Sequence, residues 1–333
     1  SPEAAMVLRE LGAKDKIKGV LKALEGMGYP VTFKDGKTIS FNIETRVESP
    51  YRAPRKKERI YTEGKSIYHS PGKGMKIAVA VSKDSSITYG QTVSRNEFGI
   101  EAGMFWSPDS SKVAFYRKDE SKVSSFPLLD ITTRTGSLNE IKYPMAGMDS
   151  ENVQLGIYDI ASGSVTYVKA DEFGYDRYLT NITWAPDASK IYIQVLDRSQ
   201  KHMKLNSYDP ANGEKIGTIL TEDNEKYVEP FDPLYFVKGT DMFLYRTANR
   251  DGFRNLYLCD NSGNIRRLTA VDADVEYVAN DGRFVYYTSA EVSPVENHLF
   301  RIEVKNLKKG VAKATFGKPQ RLTEESGWHD IAM

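Results

Sequence analysis

The sequence predicts an all-β protein, a β-propeller preceded by a short N-terminal helix, on three observations. The first is a repeated motif of aromatic residue, turn and strand. Phe105-Trp106-Ser107-Pro108-Asp109 leads into Lys112-Val113-Ala114-Phe115-Tyr116, and Thr183-Trp184-Ala185-Pro186-Asp187 leads into Lys190-Ile191-Tyr192-Ile193. A looser copy, Ala279-Asn280-Asp281-Gly282, precedes Phe284-Val285-Tyr286-Tyr287. Proline sets a turn-compatible φ, and Asp and Ser supply the local hydrogen-bonding groups that turns favour. The second observation is that strand segments after Trp106 come in fours, in units of roughly 45–50 residues, the mark of propeller blades. The third is a composition rich in Tyr, Val, Ile, Thr and Phe, with 20 Tyr against 14 Phe, which leans toward strands.

Residues 3 to 27 carry a helical period: Ile17, Val20, Leu21 and Leu24 share one face, and Gly26 and Gly28 end it. A helix docked on the body, or one that binds a partner, both fit. Residues 1–30 are therefore read as a helical segment and 31–333 as the propeller. Val31-Thr32-Phe33 and Thr38–Ile43, joined through Asp35-Gly36, read as a hairpin. Residues 46–76 are rich in Pro, Lys, Arg and Gly and give no clear element. Lys76–Val81 and Ile87–Tyr89 return to strand, but residues 46–90 are shorter and less regular than complete blades require, so disorder or missing sequence is expected there.

The first unit of four comprises Met104–Trp106, Lys112–Tyr116, Gln154–Asp159 and Val165–Lys169. The second comprises Thr180–Trp184, Ile191–Leu196, Lys204–Asp209 and Ile216–Thr221. Leu234–Val237, Met242–Thr247, Asn255–Asp260 and Ile265–Thr269 make the third. The fourth is Val275–Val278, Phe284–Ser289, His298–Val304 and Gln320–Thr323. Two excursions interrupt this order. Lys118 to Asn152 is long, polar and poor in strand pattern, and Thr92 to Gly103 precedes the same unit and carries Arg95, Asn96 and Glu97. Loops of such length in a compact domain are usually functional.

The charge balance, 46 basic against 45 acidic residues, gives no sign of nucleic acid or an anionic membrane as partner. No apolar run is long enough to span a bilayer. Cys259 is the single cysteine, so an intrachain disulfide is excluded, and its strand context reads as a small buried residue. No Gly-x-Ser-x-Gly elbow occurs, so no catalytic residue is assigned. The four histidines, His69, His202, His298 and His329, show no ligand spacing, and Asp272–Glu276 lacks the glycine a calcium loop needs, with Tyr277 in its place. Neither metal nor cofactor is expected. Glu97 is the carboxylate that stands out, because a carboxylate in a loop before an inner strand can capture an ammonium. A surface Glu paired with Arg95 accounts for the same residues.

At this point a resemblance becomes specific. Asn96-Glu97-Phe98-Gly99, Trp106-Ser107-Pro108-Asp109 and Asp119-Glu120-Ser121-Lys122-Val123 resemble the N-terminal propeller of the dipeptidyl peptidase IV branch of the prolyl oligopeptidase family. Tyr143-Pro144-Met145-Ala146-Gly147, Arg250-Asp251-Gly252-Phe253 and Ser293-Pro294 follow in the family's order, so the resemblance covers residues 87–330. It implies an eight-bladed propeller, incomplete here, that caps an α/β-hydrolase domain lying beyond Met333 and carrying a Ser-Asp-His triad. It implies cleavage after proline, with a free-amine peptide as partner and Glu97, Asn96 and Arg95 as substrate-binding residues. It also implies a bacterial, exported enzyme, periplasmic or beyond, with a cytoplasmic one as the alternative, and it allows a homodimer, since the family often pairs through a propeller arm and the hydrolase domain.

The dipeptidyl enzymes carry two adjacent glutamates, whereas Asn96 precedes Glu97 here, which resembles the prolyl tripeptidyl variant. Dipeptide and tripeptide release both stay open. Tyr227 and Glu229 read either as further walls of the pocket or as a plain interblade loop. The rival to an exopeptidase's gating propeller is a non-catalytic propeller that binds protein or peptide.

Overall fold

The computed structural model describes residues 31–32, 38–39, 59–72 and 74–331. The chain divides into two compact units, Ser1–Tyr51 and Arg52–Met333. In the first, β1 (Val31–Thr32) pairs antiparallel with β2 (Thr38–Ile39), at the hairpin that Asp35-Gly36 predicts. The expected N-terminal helix lies outside the described residues.

The second unit is built from antiparallel sheets taken in chain order. The first sheet holds β3 (Arg59–Glu63), β4 (Ser66–Ser70) and β5 (Ile77–Ala80). Strands thus form where disorder was expected; β3 and β4 turn at Gly64, whose φ of +59° is one that glycine adopts without strain. The second sheet contains β6 (Ile87–Tyr89), β7 (Met104–Trp106), β8 (Lys112–Asp119), β11 (Asn152–Asp159) and β12 (Val165–Tyr167). Between β8 and β11 the insertion forms a hairpin of β9 (Ser125–Asp130) and β10 (Ser137–Lys142), in place of the strand-poor loop its polarity suggests. The third sheet runs β13 (Arg177–Trp184), β14 (Ile191–Asp197), β15 (His202–Tyr208), β16 (Lys215–Asp223). The fourth runs β17 (Tyr235–Phe236), β18 (Phe243–Thr247), β19 (Asn255–Cys259), β20 (Ile265–Arg267). The fifth runs β21 (Val275–Asn280), β22 (Phe284–Ser289), β23 (His298–Lys305), with β24 (Thr315–Phe316) and β25 (Gln320–Arg321) both along β23. All four units expected after Trp106 are present.

What makes these sheets propeller blades is the destination of alternate side chains. Ile191, Ile193 and Val195 of β14 pack against Ala114 and Tyr116 of the second sheet, whereas Tyr192 and Leu196 pack against Phe243 and Tyr245 of the fourth. In β19, Leu256 and Leu258 face the fifth sheet while Tyr257 and Cys259 face the third. Successive strand residues point to opposite faces, so a sheet buried on both sides reads as a continuous apolar run. Polar groups stitch the same seams: Tyr116 Oη donates to the Leu179 carbonyl at 2.7 Å, and Trp184 Nε1 to the Phe105 carbonyl at 3.0 Å.

The repeated turn is built as its residues require. Asp109 accepts from the Ser107 and Ser111 hydroxyls at 2.7 and 2.9 Å, and Asp187 accepts from the Ser189 amide at 3.0 Å. Burial pulls the Asp109 carboxyl up, but these hydrogen bonds outweigh it and hold it below the ordinary range. Among the described residues no helix is long and apolar enough to cross a membrane.

Candidate functional site

The edge of β8 carries two short partners instead of one. Ile87–Tyr89 pairs with Arg117–Asp119 and Met104–Trp106 with Val113–Phe115, so the excursion between them leaves and rejoins the same edge. The Gly90 amide donates to the Tyr116 carbonyl at 2.8 Å, and the Tyr116 amide to the Gly103 carbonyl at 3.0 Å, which pinches the loop at its base. A Cβ on Gly103 would lie 2.3 Å from the Gly90 carbonyl oxygen, so only glycine closes this neck.

At the tip, Ser94, Arg95, Asn96 and Phe98 all hold φ between +51° and +62°. Left-handed backbone costs an L-residue about 1–2 kcal/mol, and such outliers concentrate where a chain is held for a purpose. The loop is held by Val93, Phe98 and Ile100, which are buried, and by amides of Asn96, Glu97 and Ile100 donating to Val93, Ser94 and Glu97 carbonyls. The Asn181 side-chain amide donates to the Phe98 carbonyl at 3.3 Å and to the Pro230 carbonyl, tying this loop to the 224–231 segment between the third and fourth blades. A Cβ on Gly99 would lie 2.1 Å from the Phe231 carbonyl oxygen, so the two loops abut directly.

Together they line a cleft of about 820 Å³ that includes Asn96, Glu97, Glu101, Gln200, Tyr227 and Glu229. Tyr227 and Glu229 thus share a wall with Glu97. Glu97 is exposed, and its carboxylate makes no hydrogen bond or ion pair with any described residue. Its neighbourhood is electrostatically coupled all the same: burial pushes the Tyr178 hydroxyl up, Arg198 opposes this, and the Asp176 and Glu97 carboxylates add to it. Glu229 by contrast pairs with Arg254 at 3.2 Å, and that guanidinium lies 4.8 Å from the Phe231 ring centre.

Asn96 stands on the cleft beside Glu97, but Arg95 does not line it. The Arg95 guanidinium sits 3.9 Å from the centre of the Tyr143 ring, so the pairing with Glu97 that would make both ordinary surface residues is absent. Sequence reasoning missed Asn181, whose only signal, a register shift between Thr180 and Thr183, lies in the backbone. No group of three or more His, Cys, Asp or Glu among the described residues is placed to hold a metal ion. What the arrangement offers is two unpaired carboxylates on a cleft, Glu101 and Glu97, the latter on a loop held at several points, able to receive a cation.

The comparisons with known proteins agree with one another. The family model for the dipeptidyl peptidase IV N-terminal region matches residues 25–333. A protein described as dipeptidyl-aminopeptidase B from Phaeosphaeria nodorum is 24% identical over 77% of this chain and 32% of its own length. Its counterpart from Emericella nidulans is 26% identical over 79% of this chain and 33% of its own. The chain therefore spans about a third of the length of the curated relatives it matches. Among solved structures, a Bacteroides ovatus protein described as a dipeptidyl aminopeptidase IV is 34% identical, with a TM-score of 0.67 over 83% of this chain and 41% of that one. Porphyromonas gingivalis dipeptidyl peptidase 4 is 25% identical, with a TM-score of 0.71 over 90% of this chain and 39% of that one.

Proposed function

The chain belongs to the dipeptidyl peptidase IV N-terminal region family, and on that premise we propose that it is the part of a proline-specific serine exopeptidase that gates the substrate and reads its N-terminus. The observation that carries this reading is the unpaired Glu97 carboxylate on a loop that three neighbouring elements hold in a strained conformation. A peptide's free ammonium needs a fixed acceptor, and a charge-assisted hydrogen bond to a carboxylate is among the stronger available. Fixing the ammonium fixes how many residues separate it from the bond cleaved, which is what makes an exopeptidase. The nucleophile, its base and its orienting acid would come from a hydrolase domain outside this sequence. Asn96 would contribute a neutral hydrogen-bonding group beside the ammonium. Tyr227 and Glu229 would close the cleft from the next blade.

The test is Glu97→Gln in the enzyme that carries this propeller together with its hydrolase domain. Loss of a hydrogen bond to a charged group is worth about 1.5–3 kcal/mol, so kcat/KM for a free-amine X-Pro anilide should fall roughly tenfold to a hundredfold. N-acylated analogues, which carry no ammonium, should respond little. Unchanged kinetics on the free-amine substrate overturn the reading. Product length from longer peptides distinguishes dipeptide from tripeptide release.

A further inference from the structure

The strained loop is held from a second side that the cleft does not include. Arg95 stacks on Tyr143 at 3.9 Å, and the Ser94 amide donates to Glu151 Oε1 at 2.8 Å; both partners belong to the 118–152 insertion. Tyr143 is itself fixed at the root of the β9–β10 hairpin. Its amide donates to the Ser124 carbonyl at 3.0 Å, and the Phe126 ring lies 5.8 Å from its own. Two consecutive left-handed residues, Ser94 and Arg95, are thus both tied to the insertion, three and two positions before Glu97.

We propose that Arg95 and Tyr143 are positioning residues, through which the insertion sets the direction of the Glu97 carboxylate. This rests on the reading of Glu97 as the ammonium acceptor. Ser94, Arg95 and Phe98 have no intrinsic reason to stay in the left-handed region. A guanidinium over an aromatic face, desolvated on one side, supplies a restraint that a bare loop lacks. Arg95 in this role never touches the substrate. Tyr143, which does not line the cleft, matters only through Arg95.

The experiment uses the complete enzyme with Arg95→Ala, Tyr143→Ala, Tyr143→Phe, the Arg95→Ala/Tyr143→Ala double variant and Glu97→Gln as reference. Either alanine variant should raise KM for the free-amine X-Pro anilide about threefold to tenfold, with kcat within about twofold. The double variant should lose no more than the single ones, because one contact is removed either way. Tyr143→Phe keeps the ring face and should behave as the parent enzyme does. Amide hydrogen exchange across residues 93–100 should speed up in both alanine variants and stay unchanged in Glu97→Gln. Loss on Arg95→Ala alone, with Tyr143→Ala silent, would make Arg95 a substrate ligand and overturn the proposal. So would parental exchange in both alanine variants. If exchange speeds up but Glu97→Gln leaves kinetics untouched, the restraint is real and it is the ammonium reading that fails, taking the catalytic part of this proposal with it.

Discussion

Replacing Asn181 tests whether the two loops of the cleft form one rigid wall. Asn181 is buried, at 6% exposure, and its amide donates to the Phe98 and Pro230 carbonyls and to Thr180 Oγ1 at 3.2 Å. Asn181→Ala strands two buried backbone carbonyls, each worth about 1–3 kcal/mol when left unpaired. It also places alanine at φ +51°, where an L-residue other than Asn or Asp pays about 1 kcal/mol. One gain opposes these losses: Asn181 Oδ1 is buried without a partner, and its removal relieves about 1 kcal/mol or more. The losses win, by about 2–6 kcal/mol net. At roughly 2–4 °C per kcal/mol for a unit of this size, the melting temperature should drop by at least about 4 °C. Asn181→Gly accepts the positive φ and should recover about 1 kcal/mol of the loss, which separates backbone strain from hydrogen bonding. Calorimetry gives the magnitude, and hydrogen exchange should show residues 93–100 and 226–231 loosening together. Melting temperatures equal to the parent's in both variants, or loosening of one loop alone, would refute the reasoning.

Two further outcomes follow from buried titratable groups. Burial raises the Glu222 carboxyl, and although Thr247 donates to it at 2.9 Å, Oε1 has no hydrogen-bond partner, with Arg250 no nearer than 3.5 Å. Because the folded value is raised, the protonated form is the one folding favours. This contribution is full below the ordinary carboxylate range and is lost as pH rises through the folded value. Glu222→Gln should therefore stabilise the protein more at pH 8 than at pH 4.5 in paired melting curves, and a gap independent of pH would contradict the assignment. Burial likewise pushes the Cys259 thiol well up at 1% exposure, so it should react with a thiol reagent only as fast as the blade opens. Modification in the native state, without urea, would place it elsewhere.

Much of the fold was legible because blade grammar is local. A strand pair with its turn needs only an aromatic or β-branched run, a Pro-Asp, Asp-x-x-Gly or Asp-Gly turn and a second run, and all four later units carry these within about fifty residues. Two elements were not legible for opposite reasons. The β3–β4 turn has Gly64 as its signal, but the basic run Arg55–Arg59 just before it obscures the start of the strand. The β9–β10 ribbon packs on no core, and Leu129, Ile131 and Leu138 are exposed at 65%, 80% and 71%, so neither alternation nor burial marks it. At the site, Glu97 could be singled out from its place between strands. The partners that fix its loop could not, because Tyr143, Glu151 and Asn181 reach Arg95, Ser94 and Phe98 across 48, 57 and 83 positions of sequence. Pairing over such separations is a property of the folded chain.

The same geometry bears on Asn96, the position where the resemblance to the dipeptidyl branch would place a second glutamate. Here φ is +62°, with Arg95 at +55° before it and Phe98 at +56° after Glu97. Asn is several-fold enriched in the left-handed region because its short amide bonds locally to the backbone, whereas a glutamate gains nothing there and pays the full steric cost. Glu97 itself sits at φ −72° in extended backbone, free of that constraint. On the proposed reading the loop separates two tasks that adjacent glutamates would combine: Asn96 would hold a difficult conformation, and Glu97, one residue on, would carry the charge. Two other carboxylates stand on the cleft, Glu101 and Glu229, and the ion pair of Glu229 with Arg254 means that any cation recruiting it must compete with a guanidinium already in place. Glu97 and Glu101 are the cleft carboxylates without an ion pair to a described residue, and on the proposed reading recognition of a positive charge depends on how firmly the Glu97 loop is held.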